Sequence, residues 1–192
     1  MKTRELTTYI TAGKYKGKRL QLPSLSSTRS TKSILKESFF NTVQFDIVDA
    51  VFVEVFGGSG SMGLEAVSRG AKAAYFIEKD RDAYRVLKKN CEDIDKNKTY
   101  PFLGDSFDFF NILLDKIDEK AYFYFDPPFS IREGMDDIYE KVYNLIYSIP
   151  EEKAELIAIE HMSTKNMPER IGIFTIKKTK KFGKSSISYY GT

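Results

Sequence analysis

Four adjacent residues, Asp126-Pro127-Pro128-Phe129, carry the clearest chemical signal in this 192-residue chain. Proline has no backbone N–H, so two in succession end the preceding strand and fix a rigid turn. We expect that turn to hold the Asp126 carboxylate and the Pro127 carbonyl as two acceptors at a fixed separation. An exocyclic NH2 group has two donors to match them, and Phe129 can stack on the ring that carries the amine. The alternative is a plain strand-ending turn that caps a helix.

A second signal is the glycine-rich stretch Gly58-Ser59-Gly60-Ser61-Met62-Gly63, which follows the β-branched apolar run 51–55. An apolar run that ends in glycines before a helical pattern is typical of a parallel strand, a tight turn and a helix. Glycine is needed where backbone passes close to a ligand, because a Cβ would collide with it. The spacing also fits a dinucleotide fingerprint, which any nucleoside-binding doubly wound fold can carry. We therefore predict a nucleoside-containing cofactor here.

Carboxylates stand at or just after the predicted strand ends. Glu78 lies 20 residues after Gly58, where it can accept hydrogen bonds from ribose hydroxyls; the alternative is a surface acid. Glu54 interrupts an apolar run, and since a buried acid costs several kcal/mol unless it is paired, we expect it to face an amine-bearing ligand. Asp105 can accept from an adenine amino group and Ser106 can cap the next helix, although a capping role suits both residues.

These motifs must be positioned by alternating strands and helices. The strand patterns cover 51–56, 73–77, 100–103, 121–125 and 155–159, and the helix patterns cover 62–69, 80–91, 106–116 and 135–148. Such alternation requires right-handed crossovers and a largely parallel sheet that is covered on both faces. Strand patterns at 171–177 and 185–190 predict a closing antiparallel hairpin.

The N-terminal part of the chain has a different pattern. Residues 6–22 predict a small basic β-hairpin, and a helix is predicted from Thr31 to about Val43. We expect one face of this helix to carry Ile34, Leu35, Ser38 and Phe39, and another to carry Lys32 and Lys36. We therefore divide the chain into an N-terminal extension, 1–45, and a catalytic domain, 46–192.

Charge is distributed unevenly along the chain, although the net charge is only +3. Residues 1–36 carry nine Lys/Arg and one acid, and residues 165–192 carry seven and one, so the two ends contribute +8 and +6. The middle, 37–164, holds the other 14 basic and 25 acidic residues, a balance of −11. Basic ends on an acidic body indicate a polyanionic partner, most simply nucleic acid; the alternative is solvated surface lysines.

Composition excludes several classes of protein. The single cysteine, Cys91, permits no internal disulfide and no cysteine-based metal site. No apolar run approaches the roughly 18 residues of a membrane span, and the N-terminus has no secretory pattern. We expect a cytoplasmic protein that binds neither metal nor membrane, and we interpret His161, the one histidine, as structural.

Together these stretches resemble an S-adenosylmethionine-dependent amino-methyltransferase, and within that class the RsmD family. The resemblance runs from about Ile10 to Tyr190 and is carried by 10–17, 29–31, 36–41, 56–66, 77–80 and 126–129. It implies a Rossmann-like methyltransferase fold with a mostly parallel seven-stranded sheet. It also implies that the chain methylates guanine N2 of 16S ribosomal RNA, in an assembled or assembling 30S particle. Nothing in the sequence requires more than a monomer, and we expect one. Three positions depart from the family pattern: Glu54 replaces Asp, Gly57 replaces Ala and Ser30 replaces Pro.

The resemblance assigns roles to three groups of residues. The catalytic group is Asp126, Pro127, Pro128 and Phe129, whose acceptors favour a pyramidal amine nitrogen and stabilise its developing positive charge. The cofactor group is Glu54, Phe56, Gly57, Gly58, Ser59, Gly60, Glu78, Lys79, Asp105 and Ser106. The RNA group is Lys14, Lys16, Lys18, Arg19, Arg29, Thr31 and Lys32.

Three other functions are open at this point. A DNA adenine-N6 methyltransferase would suit the same tetrad, but such enzymes usually carry a separate recognition domain. An NAD-dependent oxidoreductase would explain Gly58, Gly60 and Gly63 but not Asp126. A catalytically inactive RNA-binding assembly factor would keep the fold without the reaction.

Overall fold

The structure, a computed structural model, describes residues 6–23, 29–128 and 137–192, with only the backbone at 29–31. Phe129 and the side chains of Arg29, Ser30 and Thr31 therefore lie outside the described residues. The strands are β1 (Thr7–Tyr9), β2 (Arg19–Gln21), β3 (Val51–Glu54), β4 (Ala73–Glu78), β5 (Thr99–Leu103), β6 (Ala121–Phe125), β7 (Ala154–Met162), β8 (Arg170–Ile171), β9 (Phe174–Phe182) and β10 (Ser185–Gly191). The helices are α1 (Arg29–Thr42), α2 (Ser61–Ser68), α3 (Arg81–Asp95), α4 (Ser106–Leu114) and α5 (Ile138–Tyr147), with a short 3-10 turn at Glu151–Lys153.

One large sheet has the strand order β5-β4-β3-β6-β7-β10-β9-β8. The five strands from β5 to β7 are parallel, whereas β10 runs antiparallel between β7 and β9. This arrangement confirms the α/β, Rossmann-like fold with a mostly parallel sheet and a C-terminal antiparallel hairpin. Chain order reverses between β3 and β6, which in open α/β sheets is where ligands bind beyond the carboxyl ends of the strands.

The predicted strand at 171–177 is wrong in its bounds, and the sheet has eight strands among the described residues where seven were expected. Gly172 has φ +60, so the chain turns there. Because of this turn, Ile171 folds back to pair with Phe174, and the long strand begins only at Phe174. The eighth strand is therefore the two-residue β8 at the sheet edge.

The two faces of the sheet bury two apolar cores. One lies under α4 and α5, and the other lies under α1, α2 and α3. Every residue of β6 is buried, as expected for a central strand covered on both faces. The N-terminal hairpin contributes Ile10 and Leu20 to the second core, so it packs on the sheet body.

The predicted faces of α1 need a correction. Leu35 and Phe39 are buried as expected, and the Phe39 ring meets Tyr124 edge to face at 5.3 Å. Ile34, however, is exposed, and Lys36 is only 3% exposed. Lys36 faces inward because its ammonium donates to the Tyr9 carbonyl at 2.8 Å and pairs with a buried carboxylate of α2.

Within the described ranges, no helix is both long enough and apolar enough to span a bilayer. The same residues contain no group of three or more His, Cys, Asp or Glu side chains placed to hold a metal ion.

Candidate active site at the carboxyl edge of the sheet

Two adjoining cavities lie where β3, β4, β5 and β6 end. The first, of about 170 Å³, is here called the α1 cavity and is lined by Lys32, Ser33, Lys36, Glu54, Gly57 and Ser59 among others. The second, of about 290 Å³, is called the β4 cavity and is lined by Ile77, Glu78, Lys79, Asp105, Phe107 and Pro128 among others. Both cavities are bordered by Phe56, Gly58 and Asp126. The topology thus brings the predicted cofactor residues and the tetrad aspartate to one place.

The glycines of the loop serve two different purposes. Gly60 has φ +76, a conformation that favours glycine, and a Cβ on Gly63 would lie 2.4 Å from the Phe76 ring, so the fold itself explains glycine at both positions. Gly58 has φ +51 with open space around the position of a Cβ. Of these glycines, Gly58 is therefore the one where the backbone can approach a ligand closely. The need for glycine at positions 60 and 63 comes from the conformation and packing of the protein itself.

Glu78 organises the loop at the end of β4. Its Oε2 accepts from the Gly58 N–H at 2.8 Å, and its Oε1 accepts from the Asp80 N–H at 2.8 Å. Each carboxylate oxygen can accept a second hydrogen bond. Glu78 can therefore hold the glycine loop and still receive the hydroxyls of a ligand in the β4 cavity.

Glu54 is buried at the end of β3 and lines the α1 cavity, as its position in the sequence suggested. Its Oε2 accepts from the Gly63 N–H at 2.8 Å, in the first turn of α2. Gly60, the N-cap residue, has no side chain to make that bond, so a carboxylate from the neighbouring strand makes it. Burial raises the pKa of Glu54 to about 8, although the N–H groups of Gly63 and Met62 oppose the shift.

At the start of α4, Asp105 and Ser106 have different tasks. Asp105 caps the helix, since its Oδ1 accepts from the Phe107 N–H at 3.0 Å, and its Oδ2 lies 3.4 Å from the Lys79 ammonium. Ser106 was expected to be able to cap this helix, and that was wrong. Its hydroxyl instead donates to the Val55 carbonyl at 2.5 Å, because the residue faces the end of β3.

Asp126 lies directly after β6, with its carboxylate one-quarter exposed. The ammonium of Lys32, on α1, is 2.9 Å from its Oδ2. Lys32 was predicted to bind RNA, and the structure places its half-exposed side chain at the mouth of the α1 cavity, opposite the tetrad aspartate. Asp126 raises the pKa of Lys32, so this side chain remains an ammonium ion. Pro127 is buried, and Pro128 is exposed on the wall of the β4 cavity.

One buried acid beside Asp126 was not predicted from the sequence. Glu160 on β7 is 3% exposed, and its Oε2 accepts from the Tyr124 hydroxyl at 3.0 Å. Phe125 pairs with Ile159 in the sheet, so Glu160 stands level with Asp126. Burial first, and then the Asp126 charge, raise the pKa of Glu160 to about 7, while Lys32 lowers it. An acid inside the apolar run 154–162 was the available signal, the same kind that marked Glu54.

The predicted RNA lysines of the hairpin lie far from this site. Gly13 has φ +83 and packs so closely on the end of α2 that a Cβ would be 1.8 Å from the Ser68 carbonyl oxygen. The Tyr15 hydroxyl donates to Asp95 at the end of α3 at 2.9 Å. Both helices start at the carboxyl edge and run away from it, and the 8 residues of α2 span about 12 Å. Lys14, Lys16 and Lys18 are therefore exposed at the opposite edge, and Arg19 lies over the ring of Tyr9.

A buried carboxylate attaches that hairpin to the body. Glu65 on α2 accepts from the Thr11 N–H at 2.8 Å, the Thr11 hydroxyl at 2.7 Å and the Ala12 N–H at 3.0 Å. It also pairs with Arg69 at 2.8 Å and Lys36 at 3.3 Å. Burial alone would raise the pKa of Glu65, but Lys36 and these donors lower it. The N-terminal block is thus fixed to the helix that follows the glycine loop.

The chain has relatives among known proteins. The model of the family described as Conserved hypothetical protein 95 matches residues 8–191. The Ribosomal RNA small subunit methyltransferase D of Escherichia coli (strain K12) is 33% identical over 137 residues, 71% of this chain and 65% of that protein. YlbH of Bacillus subtilis is 25% identical over 184 residues, 94% of this chain and 97% of that protein. The solved structure of yhhF from Escherichia coli superposes with a TM-score of 0.73 at 28% identity and covers 96% of this chain and 97% of that one.

Proposed function

Since this chain belongs to the RsmD family, we propose that it is an S-adenosylmethionine-dependent ribosomal RNA methyltransferase that modifies guanine N2 of 16S RNA in an assembled or assembling 30S particle. The observation that carries the proposal is the position of Asp126. Its carboxylate borders both cavities at the switch point of the sheet. An amine held by Asp126 would therefore meet a cofactor that occupies the two cavities.

The residues present fit S-adenosylmethionine. The β4 cavity offers Glu78 to the ribose hydroxyls and Asp105 to the adenine amino group, between the apolar walls of Phe56 and Ile77. The α1 cavity offers the Glu54 carboxylate to the ammonium group of the methionine part. Gly58 leaves the space between them free of any side chain. When bound, the cofactor supplies a methyl group on a positively charged sulfur.

The catalytic role falls to Asp126 and the Pro127 carbonyl. Guanine N2 is a weak nucleophile because its lone pair is delocalised into the ring. Two acceptors on its N–H groups favour a pyramidal nitrogen and stabilise the positive charge that develops there. After transfer the nitrogen loses one proton, which the part-exposed Asp126 can pass to water at the cavity mouth. Lys32 must leave Asp126 before the base enters, and the base must leave its stack.

The N-terminal extension, 1–45, supplies the RNA contacts in this proposal. Lys32 lies at the mouth of the α1 cavity, while Lys14, Lys16 and Lys18 form a second basic region at the opposite edge. Arg19 lies over the ring of Tyr9, next to Thr8, which lines the α1 cavity. Contacts to both regions require a substrate larger than a few nucleotides. An assembled or assembling ribosomal particle meets that requirement.

The deciding experiment is a methyl-transfer assay with radiolabelled S-adenosylmethionine, in which naked 16S RNA, 30S particles and duplex DNA are offered in parallel. The expected product is N2-methylguanine from the ribosomal substrates. Label in DNA adenine would favour the adenine-N6 alternative. Absence of label despite cofactor binding would favour the inactive assembly factor.

A further inference from the structure

A third cavity, of about 420 Å³, opens beside the hairpin of β9 and β10. Its lining includes His161, Ser163, Lys165, Thr179, Lys181 and Ser188. No acidic side chain is present among the described residues that line it. It is here called the hairpin cleft, and none of the roles assigned above uses it.

The floor of the cleft is polar where the sheet would be expected to be apolar. Ser188 pairs with Ile159, and Ser186 pairs with His161, on the face where Tyr190 joins the core under α5. Side chains of one strand alternate between the two faces of a sheet, so Ser186 and Ser188 point to the same face as the core residue Tyr190. They are polar at positions where an apolar side chain would be expected. Although this serine pair is almost fully buried, it borders the cleft.

The hydrogen bonds of the floor fix the directions of its hydroxyl groups. His161 Nδ1 lies 2.9 Å from the Met162 carbonyl, an acceptor, so Nδ1 carries the ring proton and Nε2 accepts from Ser188 at 2.8 Å. Thr179 then donates to Ser188 at 2.8 Å. Because each hydroxyl proton is used internally, the oxygen of Thr179 turns lone pairs toward the open cleft.

A second chain of hydroxyls ends in the same way. Ser186 donates to Ser163 at 3.0 Å, and Ser163 donates to the Gly183 carbonyl at 2.9 Å. The hydroxyl groups of the cleft floor have no free proton to donate to a ligand, but their oxygen atoms can still accept hydrogen bonds from one. The hydroxyl group of a ribose, which is a donor, complements such a floor.

Cations stand at the cleft walls. The Lys165 ammonium lies 5.0 Å from the centre of the Tyr139 ring, a cation–π contact that holds it at the start of α5. Lys181 is exposed on β9, opposite Ser186. The Ser163 N–H donates to the Lys184 carbonyl at 2.9 Å, which brings a third lysine to the same loops. Ammonium groups above hydroxyl acceptors match the alternating phosphates and 2′-hydroxyls of RNA.

The cleft lies at the same edge of the sheet as Asp126. Met162, at the end of β7, pairs with Ser185, which pairs with Phe182 of β9. Asp126 follows β6, and β9 is three strands away, a lateral distance of about 14 Å at about 4.8 Å per strand. Nucleotides adjacent to a base held at Asp126 can therefore reach the cleft, whereas Lys14, Lys16 and Lys18 lie at the opposite edge.

From this arrangement we infer that the hairpin cleft binds the ribose–phosphate backbone of the RNA next to the target nucleotide. Lys165 and Lys181 bind phosphates, and the oxygens of Thr179 and Ser163 accept from 2′-hydroxyls. The inference rests on the proposed function, which sets the polymer that reaches Asp126.

The test compares two double variants with the same charge change. Lys165→Gln/Lys181→Gln alters the cleft, and Lys96→Gln/Lys116→Gln alters exposed lysines that follow α3 and α4 at the opposite edge. Binding of a fluorescent single-stranded RNA, and of DNA with the same base sequence, is measured by anisotropy over a range of salt. We expect the cleft variant to lose at least about tenfold in RNA affinity and about 1.4 in the slope of log K against log salt, for two phosphates. The control variant should keep both values.

Thr179→Val tests the acceptor floor with little change of shape. It should reduce the preference for RNA over DNA while leaving the salt slope intact. S-adenosylhomocysteine binding, measured in parallel, should be unchanged in every variant and reports that each one is folded. Equal losses in the cleft and control variants would overturn the inference.

The two proposals fail in different ways. If the cleft variant keeps its salt slope while the wild type methylates 16S RNA, the cleft inference is wrong and the proposed function stands. If the cleft variant loses RNA affinity but no ribosomal RNA is methylated, the cleft is an RNA site on a protein with another activity.

Discussion

The ammonium of Lys32 lies 2.9 Å from Oδ2 of Asp126, 94 residues away in the chain. An amine of the protein thus occupies an acceptor that the proposed mechanism gives to the target base. The Lys32 side chain is about half exposed, and pairs of this kind contribute about 0–1 kcal/mol. Its displacement is therefore a small barrier to base entry.

Lys32→Gln tests this view. The substitution removes a competitor for Asp126, so the single-turnover methylation rate should stay equal or rise, by up to about fivefold for about 1 kcal/mol. The measurement is a rapid-quench assay with saturating cofactor and 30S particles. A fall of more than about tenfold would mean that Lys32 takes part in the reaction.

Asp126→Ala should abolish methyl transfer while cofactor binding persists. Loss of one group that stabilises developing charge typically costs about 10²–10³-fold in kcat. Affinity for S-adenosylhomocysteine, measured by calorimetry, should change by no more than about threefold. Asp126→Asn retains an acceptor oxygen, so its methylation rate should lie between those of the wild type and Asp126→Ala. A loss of cofactor affinity as large as the loss of rate would place Asp126 in the cofactor site instead.

Glu54→Gln should change how stability depends on pH. The pKa of Glu54 is raised from 4.5 to about 8 in the folded protein. Between about pH 4.5 and pH 8, the folded state therefore keeps a proton on Glu54 that the unfolded state has released. The resulting stabilisation is complete below about pH 4.5 and is lost as the pH rises through about 8. Between pH 5.5 and 8.5, the wild type should lose on the order of 2–4 kcal/mol of unfolding free energy relative to the variant. Urea unfolding at both pH values measures this difference. If the unfolding free energy of the wild type and of Glu54→Gln changed equally with pH, Glu54 would not be protonated in the folded protein.

Cofactor binding should expel the proton of Glu54. At pH 6.5 the free protein holds Glu54 mainly protonated, because its pKa is about 8, whereas an α-amino group of pKa about 7.7–8.0 is charged. Calorimetry of S-adenosylhomocysteine binding in buffers of different ionisation enthalpy should show the release of up to about one proton. Methylthioadenosine, which lacks the ammonium group, should release none, and neither should Glu54→Gln with either ligand. Equal release with both ligands would remove Glu54 from the ammonium site.

The lysines of the N-terminal hairpin should matter only for a large substrate. In Lys14→Ala/Lys16→Ala/Lys18→Ala, binding of 30S particles should weaken, and its salt slope should fall by about 2–3 for three phosphates. Binding of an oligonucleotide of about ten residues should be unaffected, because this turn packs against the ends of α2 and α3, at the edge of the sheet opposite the active site. Fluorescence anisotropy and particle co-sedimentation measure the two cases. An unchanged 30S slope would remove the hairpin from the interface.

Much of the fold and part of the site could be predicted because they depend on local chemistry. The aromatic strand 121–125 was predicted with its observed bounds, since the prolines that follow it cannot continue a ladder. Glu54 and Glu78 were predicted at strand ends, and parallel strands bring their carboxyl ends to one edge whatever the details of packing.

Tertiary structure alone decided which partners these residues meet. The sequence contains no sign that Lys36 would turn inward to Glu65, that Lys32 would reach Asp126, or that Glu160 would stand beside it. The positive charge of the hairpin lysines is evident from the sequence, but their position at the edge of the sheet away from the site is not. The reason is physical: strand and turn preferences act over a few residues, whereas these contacts join segments far apart in the chain and exist only once the helices pack on the sheet.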